Sequence, residues 1–484
     1  MTRGLLGAAL ALLAATGCAA GPSYRRPALD LPEAFRGQPA PQETSFADLP
    51  WWDVFQDPQL VALLREALQA SPSVATAAAR VEQARATAGI AKDQLLPALG
   101  VQVWPSYQQV FSPVRIPGLP ATRTPYASYL AQGTVSWELD LFGRLRRLRE
   151  AALAEYLASE EAARGVTVSL VSDVARSYFQ LMALDVQLEV ARRSVASRQD
   201  TLALFRAQER GGVASGLQTA SGEALLADAE ATIPGIEQLI TVVENRISIL
   251  CGRAPGPVAR GDLVGRPAPP DPPLGLPGTL LARRPDLRQA EAGLVAANAQ
   301  IGAALARFYP SLTVSANGGY QSSTTSSLLT SGAAIFGIGA IVSWLVPVLK
   351  GYQAKHQTDA ARAGWDALVA TYRGALLNAL GEVSTAFGAL QRIRFQRDRL
   401  EAEVRARTEA VRLARIQFSA GVASYLDVVQ AEQVLLPAEL QLAEATGAQF
   451  AAYAELYRAL GGGWQAPTGA GPPAQADAAP PPAP

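Results

Sequence analysis

Histidine is almost missing from this chain: His356 stands alone among 484 residues, so no pair of imidazoles can hold a catalytic zinc. Cysteine is nearly as scarce. Cys18 and Cys251 are the only two, which excludes a disulfide-stapled scaffold and a cysteine-rich metal module. No phosphate-cradling loop and no Gly-x-Ser-x-Gly elbow occurs, and Gly337-Ile338-Gly339 does not go on into a dinucleotide fingerprint. An excess of charge is lacking too, with 42 Lys+Arg against 42 Asp+Glu, so there is no net field to draw in nucleic acid. Nothing after the first few residues is apolar for long enough to cross a bilayer as a helix. The expectation is a protein without catalytic residues, cofactor or metal, and with no nucleic-acid partner.

What is present begins with a short apolar run at residues 5–15, preceded by Arg3, with the lengths of a signal peptide rather than of a membrane span. Ala15-Thr16-Gly17-Cys18 ends it and resembles a bacterial lipobox. That resemblance implies cleavage after residue 17 and acylation of Cys18, and Ala19 in place of Asp implies delivery to the outer membrane. A chance cysteine behind an ordinary signal peptide is the alternative. Acyl chains contribute about 0.8 kcal/mol per buried CH₂, and more than one makes a stable anchor. Cys251, left without a partner, is expected to be a small buried apolar residue.

The chain also repeats itself. Gly212-Val213-Ala214-Ser215-Gly216-Leu217 returns as Gly421-Val422-Ala423-Ser424-Tyr425-Leu426, Leu96-Pro97-Ala98-Leu99 is echoed by Tyr309-Pro310-Ser311-Leu312, and Trp137 leading to Gly143 by Trp344 leading to Gly351. The pairs lie about 210 positions apart in the same order, the mark of an internal duplication. The organisation read from this is a signal peptide at 1–17, an extended leader at 18–56, a first repeat at 57–252, a proline-rich connector at 253–284, a second repeat at 285–464 and a disordered tail at 465–484.

Each repeat reads as helix, strand, strand, very long helix, turn, long helix. The opening helix is expected from about 58 to 94, with Asp57 as N-cap, and its counterpart from 285 to before Pro310. From 144 to about 210, and from 352 to about 419, there is no proline and little glycine, so each helix could reach roughly 100 Å at 1.5 Å per residue. In the last helix Leu426, Val429, Gln433, Leu436, Leu440, Ala443, Gly447, Phe450, Ala454 and Tyr457 form a seam of period 3.5, as in helices wound side by side. Pro234 and Pro437 should bend their helices. A plain amphipathic helix on a globular core is the alternative.

Four segments alternate as strands do. Tyr129, Ala131, Gly133, Val135, Trp137 and Leu139 oppose Gln132, Thr134, Ser136, Glu138 and Asp140; Leu312, Val314, Ala316, Gly318 and Tyr320 oppose Thr313, Ser315, Asn317, Gly319 and Gln321. Segments 99–111 and 333–346 are less regular. An apolar face with aromatic ends beside a polar face suits a water-filled barrel in lipid, although a sheet covering a soluble core would alternate similarly. Four strands cannot close, and an edge exposed to lipid leaves backbone groups unpaired at several kcal/mol each. Copies must therefore associate, and three supply twelve strands with room for a lumen.

The same residues resemble the TolC-like outer-membrane factors, in the lipoprotein branch that serves tripartite efflux. The stretches that carry the resemblance are Gly21-Pro22-Ser23-Tyr24-Arg25-Arg26-Pro27, Trp51-Trp52-Asp53-Val54-Phe55, Trp137-Glu138-Leu139-Asp140-Leu141-Phe142-Gly143, Arg283-Arg284-Pro285-Asp286-Leu287 and Tyr457-Arg458-Ala459-Leu460-Gly461-Gly462-Gly463-Trp464. It implies an α+β membrane protein, a homotrimeric twelve-stranded β-barrel continued by a long α-helical coiled-coil barrel. It implies as partners a periplasmic adaptor, an inner-membrane transporter and outer-membrane lipid. The function expected is a passive exit channel for drugs or other small toxic compounds. A duct for protein secretion and a non-conducting envelope lipoprotein are the alternatives.

The resemblance also points to a periplasmic gate at the turn into the last helix. Leu426 matches its apolar ring and Asp427 its acidic ring, whereas Gln430 stands where an Asp is frequent. Three Asp427 carboxylates converging would attract cations, as charged rings do in pores. Asp427 could instead be a solvated carboxylate that caps the helix. The resemblance also implies a basic link that holds the turn shut in some relatives, but Ala423 and Phe418 offer no such group, which leaves the closing contacts open.

Overall fold

The computed structural model describes residues 19–38, 44–48, 57–111, 123–213, 215–269, 272–343 and 347–462. Cys18, the 51–55 motif, Trp344 and Trp464 fall outside them, as do the signal peptide and the tail. The described residues form two compact units, one drawn from 19–28, 80–160 and 289–372, the other from 29–79, 161–288 and 373–462. Each unit draws on both halves of the sequence.

The first unit is built on an antiparallel sheet of β1 (Ala98–Phe111), β2 (Arg123–Leu139), β3 (Ser311–Ser322) and β4 (Ala334–Ser343), hydrogen-bonded in that order. The register keeps like with like. Val101 faces Gly133, Val135 faces Ala316 and Ala316 faces Ile338 on one side, while Gln102 faces Gln132 and Thr134 faces Asn317 on the other. The apolar side is uncovered: Val101 keeps 86% and Phe336 78% of its surface exposed. Among the described residues the outer edges of β1 and β4 have no partner strand.

The strand expected to run through Asp140 stops at Leu139. Asp140 instead accepts the N–H groups of Leu145 and Arg146 at 3.0 and 2.9 Å, capping the next helix, where a carboxylate offsets the unpaired donors of the first turn. The leader begins packed in this unit: Arg147 donates to the carbonyls of Ala20, Gly21 and Pro22, and Arg26 grips Glu291 through two bonds of 2.7 Å.

The long elements are helices α1 (Pro58–Ala70), α2 (Pro72–Asp93), α3 (Arg144–Arg210), α4 (Gly216–Leu250), α5 (Pro285–Ala306), α6 (Pro347–Ser419) and α7 (Tyr425–Ala459). Asp57 caps α1 through its carboxylate, as expected. The single helix expected over 58–94 is broken at Ser71, whose ψ of 127° is extended. The cause is Pro72, whose ring pushes the preceding residue out of the helical region while suiting its own place at a helix start. Likewise α6 opens at Pro347 rather than Tyr352. Pro234 and Pro437 sit inside continuous α4 and α7.

The second unit carries the main core. Tyr178, Phe179 and Met182 from α3, Ile247 from α4, Val383 and Leu390 from α6, and Phe450 and Tyr453 from α7 are all buried there. Cys251 belongs to it, fully buried, and burial pushes its thiol up to about 11, so it stays protonated and inert. The connector is pinned by Arg260, which bridges Asp185 and Glu244, and by Arg266, bonded to the buried Asp57 at 2.7 Å.

Candidate functional site at the helical turns

In the second unit two hairpin turns are built alike. Gly212 and Gly421 end α3 and α6 with φ of +73° and +75°, a left-handed conformation that glycine enters without steric cost. Behind them Val213 and Val422 donate to the carbonyls of Gln208 and Gln417 at 2.9 and 3.0 Å, satisfying the helix's last acceptors. Ser215 and Ser424 then start the next helices, and their N–H groups donate to Gln218 Oε1 at 3.1 Å and to Asp427 Oδ2 at 2.9 Å. Ser424 Oγ donates to the same carboxylate oxygen at 3.0 Å.

Asp427 is therefore a helix-capping carboxylate, the more local of its two sequence readings, held where the helix dipole favours a negative charge. Leu426, Asp427 and Gln430 all lie exposed on the first turns of α7, with Leu426 keeping 61% of its surface.

The buried stripe at this end is displaced from the expected seam. From Leu436 onward the predicted residues Leu436, Ala443, Gly447, Phe450, Ala454 and Tyr457 are buried, but nearer the turn Tyr425, Val428 and Glu432 face inward while Leu426 and Gln433 face out. Two contacts account for the offset. The Tyr425 ring meets Phe205 of α3 edge-on, centroids 3.9 Å apart, with Phe418 of α6 at 5.7 Å. Arg415 of α6 donates through Nε to Glu432 at 3.0 Å and through Nη2 to Ser197 of α3 at 2.6 Å, fixing Glu432 at 7% exposure. A buried carboxylate without such a partner would cost several kcal/mol.

Further groups tighten the same region. Arg198, buried on α3, donates to the Leu225 carbonyl of α4 and reaches Asp228 at 3.5 Å. Burial, then the nearby Glu432 charge, pushes the Tyr425 phenol up to about 12, against the smaller opposing effect of Arg415 and Arg198. Its hydroxyl finds no hydrogen-bond partner. Beside this cluster lies a cavity of about 480 Å³, lined among others by Arg198, Arg412, Arg415 and Glu432. Sequence reasoning passed over Tyr425, Arg415 and Glu432. The signal available was a charged residue seven positions after Tyr425, on the stripe that packs.

Among the described residues no group of three or more His, Cys, Asp or Glu side chains could hold a metal ion, and no helix is long and apolar enough to cross a membrane. His356 is an exposed helix residue.

Residues 63–253 and 276–462 match the family model described as outer membrane efflux protein. A probable efflux pump outer membrane protein of Pseudomonas putida, TtgC, is 30% identical over 475 residues, covering 97% of both chains. The solved outer-membrane channel OprN superposes with a TM-score of 0.83 at 28% identity, covering 92% of this chain and all of that one. The open-state MtrE outer membrane channel of Neisseria gonorrhoeae gives 0.81 at 29% identity, covering 93% and 99%.

Proposed function

The chain belongs to the outer membrane efflux protein family and serves as an outer-membrane exit channel of an efflux pump, and on that premise we propose that it works as a homotrimer, in which twelve strands close a barrel around water. What supports this is the sheet itself. Its apolar face is strongly exposed on β1 and β4 and half-buried to exposed on β2 and β3, its polar face is continuous in register, and among the described residues the outer edges of β1 and β4 stand without partners. An edge left open in lipid forfeits several kcal/mol per backbone group, and edge-to-edge pairing of three copies removes that cost.

The equal lengths of α2 and α5, 22 residues each, and of α4 and α7, 35 each, support an internal duplication that supplies two strands and one hairpin per repeat. The helices form the periplasmic wall, and Cys18, acylated, ties the leader to the membrane. Leu426, Asp427 and Gln430 line the constriction at the turn: Leu426 as the apolar ring, Asp427 as a cation-attracting ring, and Gln430 as a neutral position that moderates it. A periplasmic adaptor and an inner-membrane transporter open the constriction, and the cargo is small toxic compounds that the transporter selects. The relatives in hand are channel proteins rather than enzymes, in keeping with a duct that performs no covalent step.

The test is the mass of the full-length protein in mild detergent, by light scattering and by intersubunit cross-linking. A three-chain particle that falls to one chain on heating is the expected result. A stable monomer with no heat-sensitive sheet signal would refute the reading.

A further inference from the structure

We propose that the polar wall of this channel's β-barrel outlet is electrically neutral, so that it passes cationic, anionic and uncharged solutes alike and leaves charge discrimination to the helical part of the duct and to Arg115 and Arg123 at the β1–β2 end. The inference deepens the reading above and rests on it, since it takes the sheet's polar face to be the wall of a water-filled barrel.

The register decides which residues form that wall. Counting from Gln102, Gln132 and Asn317, every second residue of each strand lies on the polar face. Among the described residues the face carries one side chain charged at neutral pH, Glu138, at the end of β2 where the helix begins. Arg144 neutralises it with two bonds, Nε at 3.0 Å and Nη2 at 2.7 Å. All other positions on the face are amides, hydroxyls, glycines, or apolar side chains such as Leu130 and Ile341. Residues 322–333, which include the segment joining β3 to β4, contain no charged residue, whereas the segment joining β1 to β2 contains Arg115 and β2 opens on Arg123.

The amides are also bound to each other rather than left to seize a passing solute. Gln132 Nε2 donates to Gln102 Oε1 at 3.0 Å, and Asn317 Nδ2 donates to Gln132 Oε1 at 3.0 Å, a chain that crosses β1, β2 and β3. Glycines lie beside this chain. A Cβ on Gly337 of β4 would come within 2.7 Å of Asn317 Oδ1, whereas one on Gly319 of β3 would first collide with the Ala131 carbonyl oxygen of β2, so glycine there permits the close approach of the two strands. Conduction needs binding weak enough for release, and a neutral surface whose polar groups are already paired meets that need for either sign of charge.

The test uses thiol chemistry against a nearly cysteine-free background, because Cys251 is fully buried and the unsubstituted protein reports any reaction at Cys18. Asn317→Cys is made in the full-length trimer in outer-membrane vesicles. Its reaction rates with a trimethylammonium and a sulfonate methanethiosulfonate are compared at about 0.1 M salt, where screening confines the field to about 10 Å. The expected rate ratio agrees within about twofold with that of free cysteine under the same conditions. A bias of about tenfold towards either reagent overturns the neutral outlet while leaving the duct intact. If neither charged reagent reacts but a membrane-permeant maleimide does, the face does not line water, and the barrel reading falls together with this proposal. Should Asn317→Cys fail to form heat-modifiable trimers, Ser315→Cys, on the same face two residues away and outside the amide chain, replaces it with the same three outcomes.

Discussion

Arg415 on α6 and Glu432 on α7 are joined by a 3.0 Å hydrogen bond within an ion pair whose carboxylate is buried, and the same guanidinium reaches Ser197 on α3. Three helices are thus held together close to the turn by one side chain. Phe418 and Ala423 at this turn are apolar, and Phe418 packs with Phe205 and Tyr425.

Arg415→Ala leaves Glu432 buried beside its lost partner. Because Arg415 itself is about half exposed, the expected destabilisation is about 1–3 kcal/mol rather than the full cost of a buried pair. Hydrogen exchange at the α6–α7 turn should speed up, and the channel in planar bilayers should open more often. Arg415→Ala together with Glu432→Gln should recover much of the loss.

Tyr425 contributes stability only while its phenol is neutral. Its folded pKa is pushed up to about 12 from 10.0, so the folded state holds the proton more tightly than the unfolded one. That contribution is complete below pH 10 and is lost as pH rises through 10 towards 12. Protection of the turn amides, measured relative to their intrinsic hydroxide-catalysed exchange, should therefore fall over this window in the unsubstituted protein. Tyr425→Phe keeps the ring contacts and removes an unpaired hydroxyl, so it should be neutral to slightly stabilising and lose this pH response.

Asp427 combines a capping role with the proposed ring, and Asp427→Gln separates them. Gln218 already fills the equivalent capping place in the first hairpin, so a glutamine should keep the cap while removing the charge. Asp427→Ala should cost about 0.5–2 kcal/mol of local stability, as loss of a cap does. Reversal potentials in a salt gradient should show a reduced cation preference for both variants. An unchanged preference in Asp427→Gln would remove the acidic ring from the account.

The two faces of β1 give opposite predictions for one substitution. Val101→Arg places a charge on the exposed apolar face, at about 2–4 kcal/mol if near the midplane, and should reduce the yield of heat-modifiable trimer. Gln102→Arg, one residue on, should assemble. Gel migration with and without heating reads both.

The elements were legible where a single period governs them. Alternation gave the strand faces, because a sheet with one apolar and one polar face leaves no second register, and the absence of proline marked α3 to its ends. What escaped were places where one residue overrides the pattern. Pro72 breaks the opening helix at Ser71, and Pro347 begins α6 early. The stripe at the start of α7 follows Tyr425 and Glu432 because a ring contact and an ion pair across helices outweigh the apolar Leu426. Such pairings join residues far apart in the chain, and no local spacing announces them. The sequence placed Leu426, Asp427 and Gln430 at the turn but also put Leu426 on the packing seam, where the structure has it exposed, and the groups packed beneath them were not legible.

Conduction is the property on which the account stands. The purified full-length protein and its Leu426→Ala, Asp427→Ala double variant should be inserted into planar bilayers, with insertion verified by protease protection. Discrete current steps are predicted, rare and brief for the unsubstituted protein and frequent for the double variant. Bilayers that stay silent with both proteins verifiably inserted would contradict the account and leave a scaffold that conducts nothing.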